Sequence, residues 1–125
     1  MARVNSHYGR YDSTAAFLLY LAFPILLFGR GLRGRLTTAF IGQGCDPSTW
    51  LWFLRWWRYA FEHRVNPFLS DRLWAPRGVN LAWATFIPLP AWIVIPLSTA
   101  FGEVVSYNFL CVVALPLSAL SAFLL

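Results

Sequence analysis

Lysine is absent from this sequence, and acid is scarce: 125 residues carry ten arginines against five Asp and Glu. Charged residues make up 12% of the chain, about half the roughly 25% usual in a soluble domain. Between Ala15 and Phe28, and again from Leu81 to Leu125, the only formal charge is Glu103. A soluble chain can bury a helix that is apolar all round, but it must then supply polar faces elsewhere. Too few residues are left here to do so, and long charge-free runs suit hydrocarbon, where a span needs about 20 mostly apolar residues. Also missing are a glycine-rich phosphate loop, a nucleophile elbow, zinc spacing and paired metal ligands. Cys45 and Cys111 stand alone in different kinds of segment, so neither a metal site nor a redox pair is expected. No cofactor is implied, and the basic balance comes without a nucleic-acid motif. Arginines beside apolar spans face lipid headgroups or set topology instead; their exclusive use also fits a GC-rich genome.

What is present predicts an all-α fold of polytopic transmembrane helices, about three spans, with an amphipathic interfacial helix in the first loop. Residues 1–13 read as a short polar tail with Arg3, Arg10 and Asp12. The first span covers about 14–29 and should kink at Pro24, as membrane helices tolerate. Arg30, Arg33 and Arg35 follow it where a signal peptide would show a small-residue cleavage site, so an uncleaved anchor is expected. Residues 30–80 form the loop. Within it, Ser48 to His63 has helical periodicity: Trp50, Phe53, Leu54, Trp57 and Phe61 make one apolar stripe. Arg55, Arg58 and Glu62 lie opposite, Arg58 and Glu62 able to pair at i,i+4, with Trp52, Trp56 and Tyr59 at the borders. Such a helix suits the headgroup layer; the alternative is an ordinary helix packed on a domain.

Trp74 and Trp83 bracket a turn region and fit a membrane boundary. The second span, about 81–101, holds Pro88, Pro90 and Pro96 and should be bent or broken. Gly102-Glu103 makes a tight connection to the third, about 104–125, which Pro116 interrupts and whose small residues allow close packing. The sequence stops at Leu124-Leu125 with no polar anchor. Residues 1–125 therefore read as a single membrane module, the N-terminal part of a longer cytoplasmic-membrane protein whose remaining helices are its partners, together with membrane lipids.

Asp46 is the sharpest chemical candidate, in Gly44-Cys45-Asp46-Pro47. Asp with proline at the next position is a standard helix start, the carboxylate capping backbone N–H groups. A carboxylate at a membrane surface can also take the proton from an attacking hydroxyl. The two roles are compatible, because a capping carboxylate keeps a second oxygen. Asp71 reads as a turn residue, Glu103 as a helix cap, and His63 as a helix-terminal cation. Arg55, Arg58, Arg64, Arg72 and Arg77 can grip a phosphate bidentately or simply face headgroups.

In the order Asp46-Pro47, the aromatic helix, Asn66-Pro67-Phe68, Pro76 with Gly78-Val79-Asn80-Leu81, and Tyr107-Asn108, about half the chain resembles the N-terminal region of bacterial polytopic glycosyltransferases of the GT-C class. The resemblance implies transfer of a sugar from a polyprenyl-phosphate donor to an extracytoplasmic acceptor. Asp46 would then be the catalytic base, with Arg55, Arg58, Arg72 and Arg77 binding substrate phosphate and no metal ligand assigned. Such enzymes often carry a second acid close to the first, whereas Pro47 and Ser48 follow Asp46, which leaves a divalent metal unsupported. This piece alone is expected to be inactive. The alternative is a non-enzymatic membrane module: a transporter or flippase subunit, or an assembly partner.

Eight of the ten arginines fall in the loop, which by charge bias belongs in the cytoplasm. The resemblance puts it outside, where arginines bound to lipid phosphate are poor topology signals. Cys45 separates the two: a membrane-impermeant thiol reagent should label it in intact cells. Protection until the membrane is permeabilised would place the loop inside.

Overall fold

The computed structural model describes residues 8–84 and 87–125. The start of the expected tail, with Arg3 and His7, lies outside the described residues, as do Thr85 and Phe86 of the expected second span. Five α-helices and one two-residue-per-strand hairpin are present among the described residues. They divide into two units, residues 1–35 with 109–125, and residues 36–108.

The first unit holds α1 (Tyr8–Leu32) and most of α5 (Glu103–Leu124). Both are long and apolar enough to cross a bilayer, over Ser13–Leu32 and Glu103–Leu124. Their apolar side chains are mostly exposed, Leu19, Phe23, Leu26, Leu117 and Phe123 among them; the core helix of a soluble domain would bury such residues. Helix α1 begins earlier than the polar tail suggested, because residues 8–12 join it. It also runs through Gly29 and Gly31 and stops where Gly34 turns to φ +72°, the left-handed conformation that commonly ends a helix. Arg30 lies in the last turn of α1, where a cation favours the helix dipole.

In the second unit α2 (Cys45–His63) is the central element. It ends in a left-handed Arg64 at φ 55°. The amides of Arg64 and Val65 donate to the carbonyls of Phe61 and Ala60 at 3.3 and 3.0 Å, the Schellman pattern with arginine where glycine is usual. One side of α2 meets α3 (Pro88–Ile93) and α4 (Ile95–Phe101). Another packs against the segment that follows, where β1 (Leu69–Ser70) pairs antiparallel with β2 (Val79–Asn80). Phe53, Trp56 and Leu81 form the core there, with Trp50, Trp52, Tyr59, Leu73, Val79 and Ala84 against it. Gly78 is fixed by this hairpin: its φ is +70°, and a Cβ would lie 2.8 Å from the Ser70 carbonyl oxygen.

Burial of α2 therefore differs from a single stripe. Phe53, Leu54 and Trp57 are buried as the periodicity predicts, but so are Trp56 and Ala60, while Phe61 is exposed. The helix is covered on two sides, which is why Trp56, at a border of the stripe, becomes core.

The second expected span is not one helix. A 3-10 turn at Leu81–Trp83 precedes α3 and α4, of six and seven residues. At 1.5 Å per residue these are roughly 9 and 10 Å long, against a hydrocarbon layer of about 30 Å. Proline explains the break: each helix starts with proline in its first turn, where a missing N–H costs nothing, and Pro96 cannot continue the ladder of α3. Gly102, at φ 87°, is the single residue between α4 and α5.

Residues 36–44 form no helix or strand, and a side chain of α5 fastens them. Buried Asn108 on α5 accepts from the Ile41 amide at 2.9 Å and donates to the Ala39 carbonyl at 2.8 Å. Phe40 packs edge-on against Tyr107. Gly42 follows at φ +106°, and a Cβ there would lie 2.9 Å from the Pro47 ring. Truncating Asn108 to Ala should cost roughly 1–3 kcal/mol for each backbone group left unpaired. Hydrogen exchange in detergent should show the Ile41 amide losing protection in that variant and keeping part of it in Asn108→Asp, which retains the acceptor.

Candidate functional site

The residues singled out in the loop do not converge on one place. Asp46 lies in the first turn of α2, exposed, with Gly44 in the capping position. This corrects the expectation that Asp46 is the N-cap. Gly44 takes that place at φ 85°, with no side-chain cap hydrogen bond, and the helix begins two residues earlier than an Asp46 cap implies, at Cys45. Pro47 fits the third helical position, since the first turn's N–H groups have no intrahelical partner in any case. The Asp46 carboxylate gains from the helix dipole and has no side-chain partner among the described residues.

Arg58 is committed elsewhere. Its guanidinium lies 2.9 Å from Glu103 Oε1 as an ion pair outside hydrogen-bond geometry, and it donates to the Ser98 carbonyl at 2.7 Å. The expected Glu62 contact is also present, at 3.7 Å. With side chains only 21% and 16% exposed, Arg58 and Glu103 form a half-buried tie between α2, the end of α4 and the first turn of α5. Arg55 reaches the same carboxylate only at 3.9 Å and is 71% exposed. Arg58 thus serves the fold and leaves little of its guanidinium for a phosphate.

Arg72 and Arg77 are the two that come together. They line a cavity of about 530 Å³ with Trp56, Tyr59, Asn66 and Asp71. Arg72 lies with its guanidinium carbon 5.6 Å from the centre of the Tyr59 ring, a cation–π distance, and its NH2 is 3.4 Å from the Tyr59 hydroxyl. Asp71 stays 3.6 Å from it as an exposed pair of the kind worth little in water. Arg77 is exposed, with no hydrogen bond or ion pair among the described residues.

The aromatic floor of this cavity belongs to a longer stack on α2. Trp52 and Trp56 are parallel at 5.8 Å, Trp56 and Tyr59 follow at 5.6 Å, and Tyr59 and His63 at 3.9 Å. Spacings of four, three and four put these residues on one helical face. His63 is held by its Nδ1 at 2.9 Å from the Tyr59 carbonyl. Arg55 lines a second, smaller cavity, about 270 Å³, that shares Trp56, Tyr59 and Arg72 with the first. This stack was visible only in part as the border residues of α2; that Arg72 lies against its Tyr59 ring depends on the hairpin segment, which brings that arginine back to α2.

No family model, curated protein or solved structure matches this chain. Among the described residues no group of three or more His, Cys, Asp or Glu is placed to hold a metal ion.

Asp46 and the arginine cavity are separate. Tyr59 lies thirteen positions beyond Asp46 on α2, roughly 20 Å along the helix axis. The site thus offers an aromatic cavity lined by two arginines and, well apart from it, an exposed carboxylate.

The Arg58 tie makes a stability prediction. Arg58→Ala leaves Glu103 half-buried without its main partner and should cost about 1–3 kcal/mol, less than a fully buried pair would. Arg55→Ala should change stability by no more than about 0.5 kcal/mol. Thermal unfolding in detergent compares the two, and equal effects would contradict the assignment.

Proposed function

We propose that the chain is part of a multi-pass protein of the cytoplasmic membrane, and that residues 36–108 bind a phosphate-bearing amphiphile at Arg72 and Arg77. The observation that carries this reading is the cavity itself. Two arginines line it with Trp56 and Tyr59: Arg72 at a cation–π distance from the Tyr59 ring, and Arg77 with no hydrogen bond or ion pair among the described residues. Guanidinium groups suit phosphate oxygens bidentately, and the aromatic floor suits the less polar part of the same molecule. Membrane insertion is supported by two helices long and apolar enough to cross and exposed along their apolar faces.

The finer reading is a glycosyltransferase that takes a sugar from a polyprenyl-phosphate donor and passes it to an acceptor outside the membrane, with Asp46 as general base. The resemblance suggests it, and the exposed, unpartnered carboxylate of Asp46 supports it. In that reaction the acceptor hydroxyl attacks the sugar's anomeric carbon, the bond to the donor phosphate breaks, and Asp46 takes the hydroxyl proton. The phosphate that leaves lies within a few bonds of the reacting carbon. A phosphate held at Arg72 and Arg77, roughly 20 Å of helix from Asp46, is therefore a different one, on a part of a substrate remote from the bond that breaks. Transport is the less favoured reading: no charged residue interrupts α1 between Ala15 and Phe28 or α5 after Glu103, whereas ion and substrate pathways place such residues inside the spans.

Two measurements test these readings separately. Arg72→Ala and Arg77→Ala should each weaken binding of phosphatidic acid, a phosphate-bearing amphiphile, in detergent about tenfold or more, the loss expected of a charge-assisted contact, while Arg64→Ala leaves it unchanged. In the full-length protein Asp46→Asn should abolish sugar transfer and leave that binding intact. Undiminished transfer removes Asp46 from the mechanism without touching the cavity.

A further inference from the structure

The segment from Leu81 to Gly102 contains no charged residue, yet among the described residues it forms no single helix long enough to cross a bilayer. Its two short helices pack one side against α2, burying Ala91, Val94 and Ser98. The opposite side is open. Leu89, Trp92, Ile93 and Phe101 are each more than 60% exposed, and Trp83, just ahead of α3, is 91% exposed. Water is a poor solvent for such side chains: single exposed apolar residues are ordinary, several large ones on two successive short helices are not. Leu89 and Ile93 fall four apart, on one side of α3, while Trp92 borders that side and also lines a cavity with Trp57, Ala60 and Phe61 of α2.

We propose that α3 and α4 form an elbow lying in the interfacial layer of the bilayer, with Leu89, Trp92, Ile93 and Phe101 inserted among the acyl chains. This rests on reading α5 as a membrane span. The occupant is lipid rather than a second protein because of where the elbow is attached. Only Gly102 separates α4 from α5, so the elbow cannot be far from the level at which α5 enters the membrane. Composition agrees. Indole rings favour the boundary between headgroup and hydrocarbon, and Trp83 and Trp92 are both there. Length agrees too, since two helices of roughly 10 Å cannot cross but can lie in the plane. The polar end of the arrangement is Glu103, which begins α5 and is neutralised by Arg58 at 2.9 Å. A carboxylate at this depth would otherwise be costly, so the ion pair sits where the elbow needs it.

The same geometry gives the unit 36–108 a role for its apolar side distinct from the cavity at Arg72 and Arg77. The elbow would hold the module at the membrane surface, at the level where phosphate-bearing headgroups lie.

Spin labels test the placement in the full chain reconstituted into phosphatidylcholine vesicles, with Cys45 and Cys111 replaced by Ser. Single cysteines at Leu89, Ile93 and Phe101 should give labels that collide several-fold more often with oxygen than with a water-soluble nickel chelate. A label at Arg55 should favour the nickel chelate, and one at Leu117 should report the span. Ile93 reached mainly by nickel would show the elbow in water, and Ile93 reached by neither would show it covered by protein; either overturns the proposal. If Leu117 also favours nickel, it is the span that fails, and the two failures are thereby told apart. Ile93→Gln, carrying a label at Leu89, should lower the oxygen-to-nickel ratio there severalfold if the elbow is inserted.

Discussion

Arg58 is held from three directions, and the second unit depends on it. Glu62 lies one turn along its own helix, the Ser98 carbonyl comes from the end of α4, and Glu103 from the first turn of α5. The Ser98 carbonyl also accepts from the Gly102 amide at 3.0 Å, so the arginine reads the very turn by which the chain passes from α4 into α5. An apolar chain has few ways to fix such a corner. Packing alone is permissive, because apolar surfaces slide over one another at modest cost, whereas a charge half withdrawn from water demands a particular partner in a particular place. With five acids in the whole sequence, committing two of them to Arg58 is a large share, and it buys geometry rather than much stability.

Asn108 does comparable work for the segment before α2. Its amide supplies one donor and one acceptor to backbone groups at positions 39 and 41, as a neighbouring strand would. That substitution of a side chain for a strand explains how residues 36–44 can be ordered without secondary structure. It also bears on Asp46, which follows a few residues later, past Gly42 pressed against Pro47. The route to the carboxylate therefore starts from a residue on α5 more than sixty positions away.

How much of this the sequence discloses follows from the range of the forces involved. Helices α1 and α5 were legible, since charge-free length is a local property, and so was the interval containing α2, whose periodicity is local as well. The start of α2 was misread by the strong Asp-Pro signal, because glycine can take the capping position through its backbone freedom alone and leaves no side chain to notice. Three prolines announced a broken span at 81–101, yet the outcome, two helices too short to cross, depends on α2 being there to cover them. Arg58 illustrates the limit most clearly. Its i,i+4 partner Glu62 was evident from spacing, while the closer partner, Glu103, is forty-five positions away and has no local signature. Likewise Arg72 and Arg77 could be named as candidate phosphate ligands, but only the hairpin, closed by Gly78, brings them into one cavity with Trp56 and Tyr59, while Arg58 is committed to Glu103.

The separation of Asp46 from the arginine cavity changes what the loop is expected to do. A single compact active site would place base, sugar and phosphate within a few ångströms, since general-base catalysis acts only at hydrogen-bond reach. Here one long helix carries the carboxylate at its start and the aromatic stack towards its end. Under the proposed function, an extended amphiphile aligned by the membrane surface could meet both. On that proposal α2 would set the distance between a gripped anion and a reacting bond, and the Arg58 tie would fix how α2 lies against α4 and α5. A shift of α2 by one turn, about 5.4 Å, would leave the cavity and the carboxylate individually intact and still mismatch them to a substrate of fixed length.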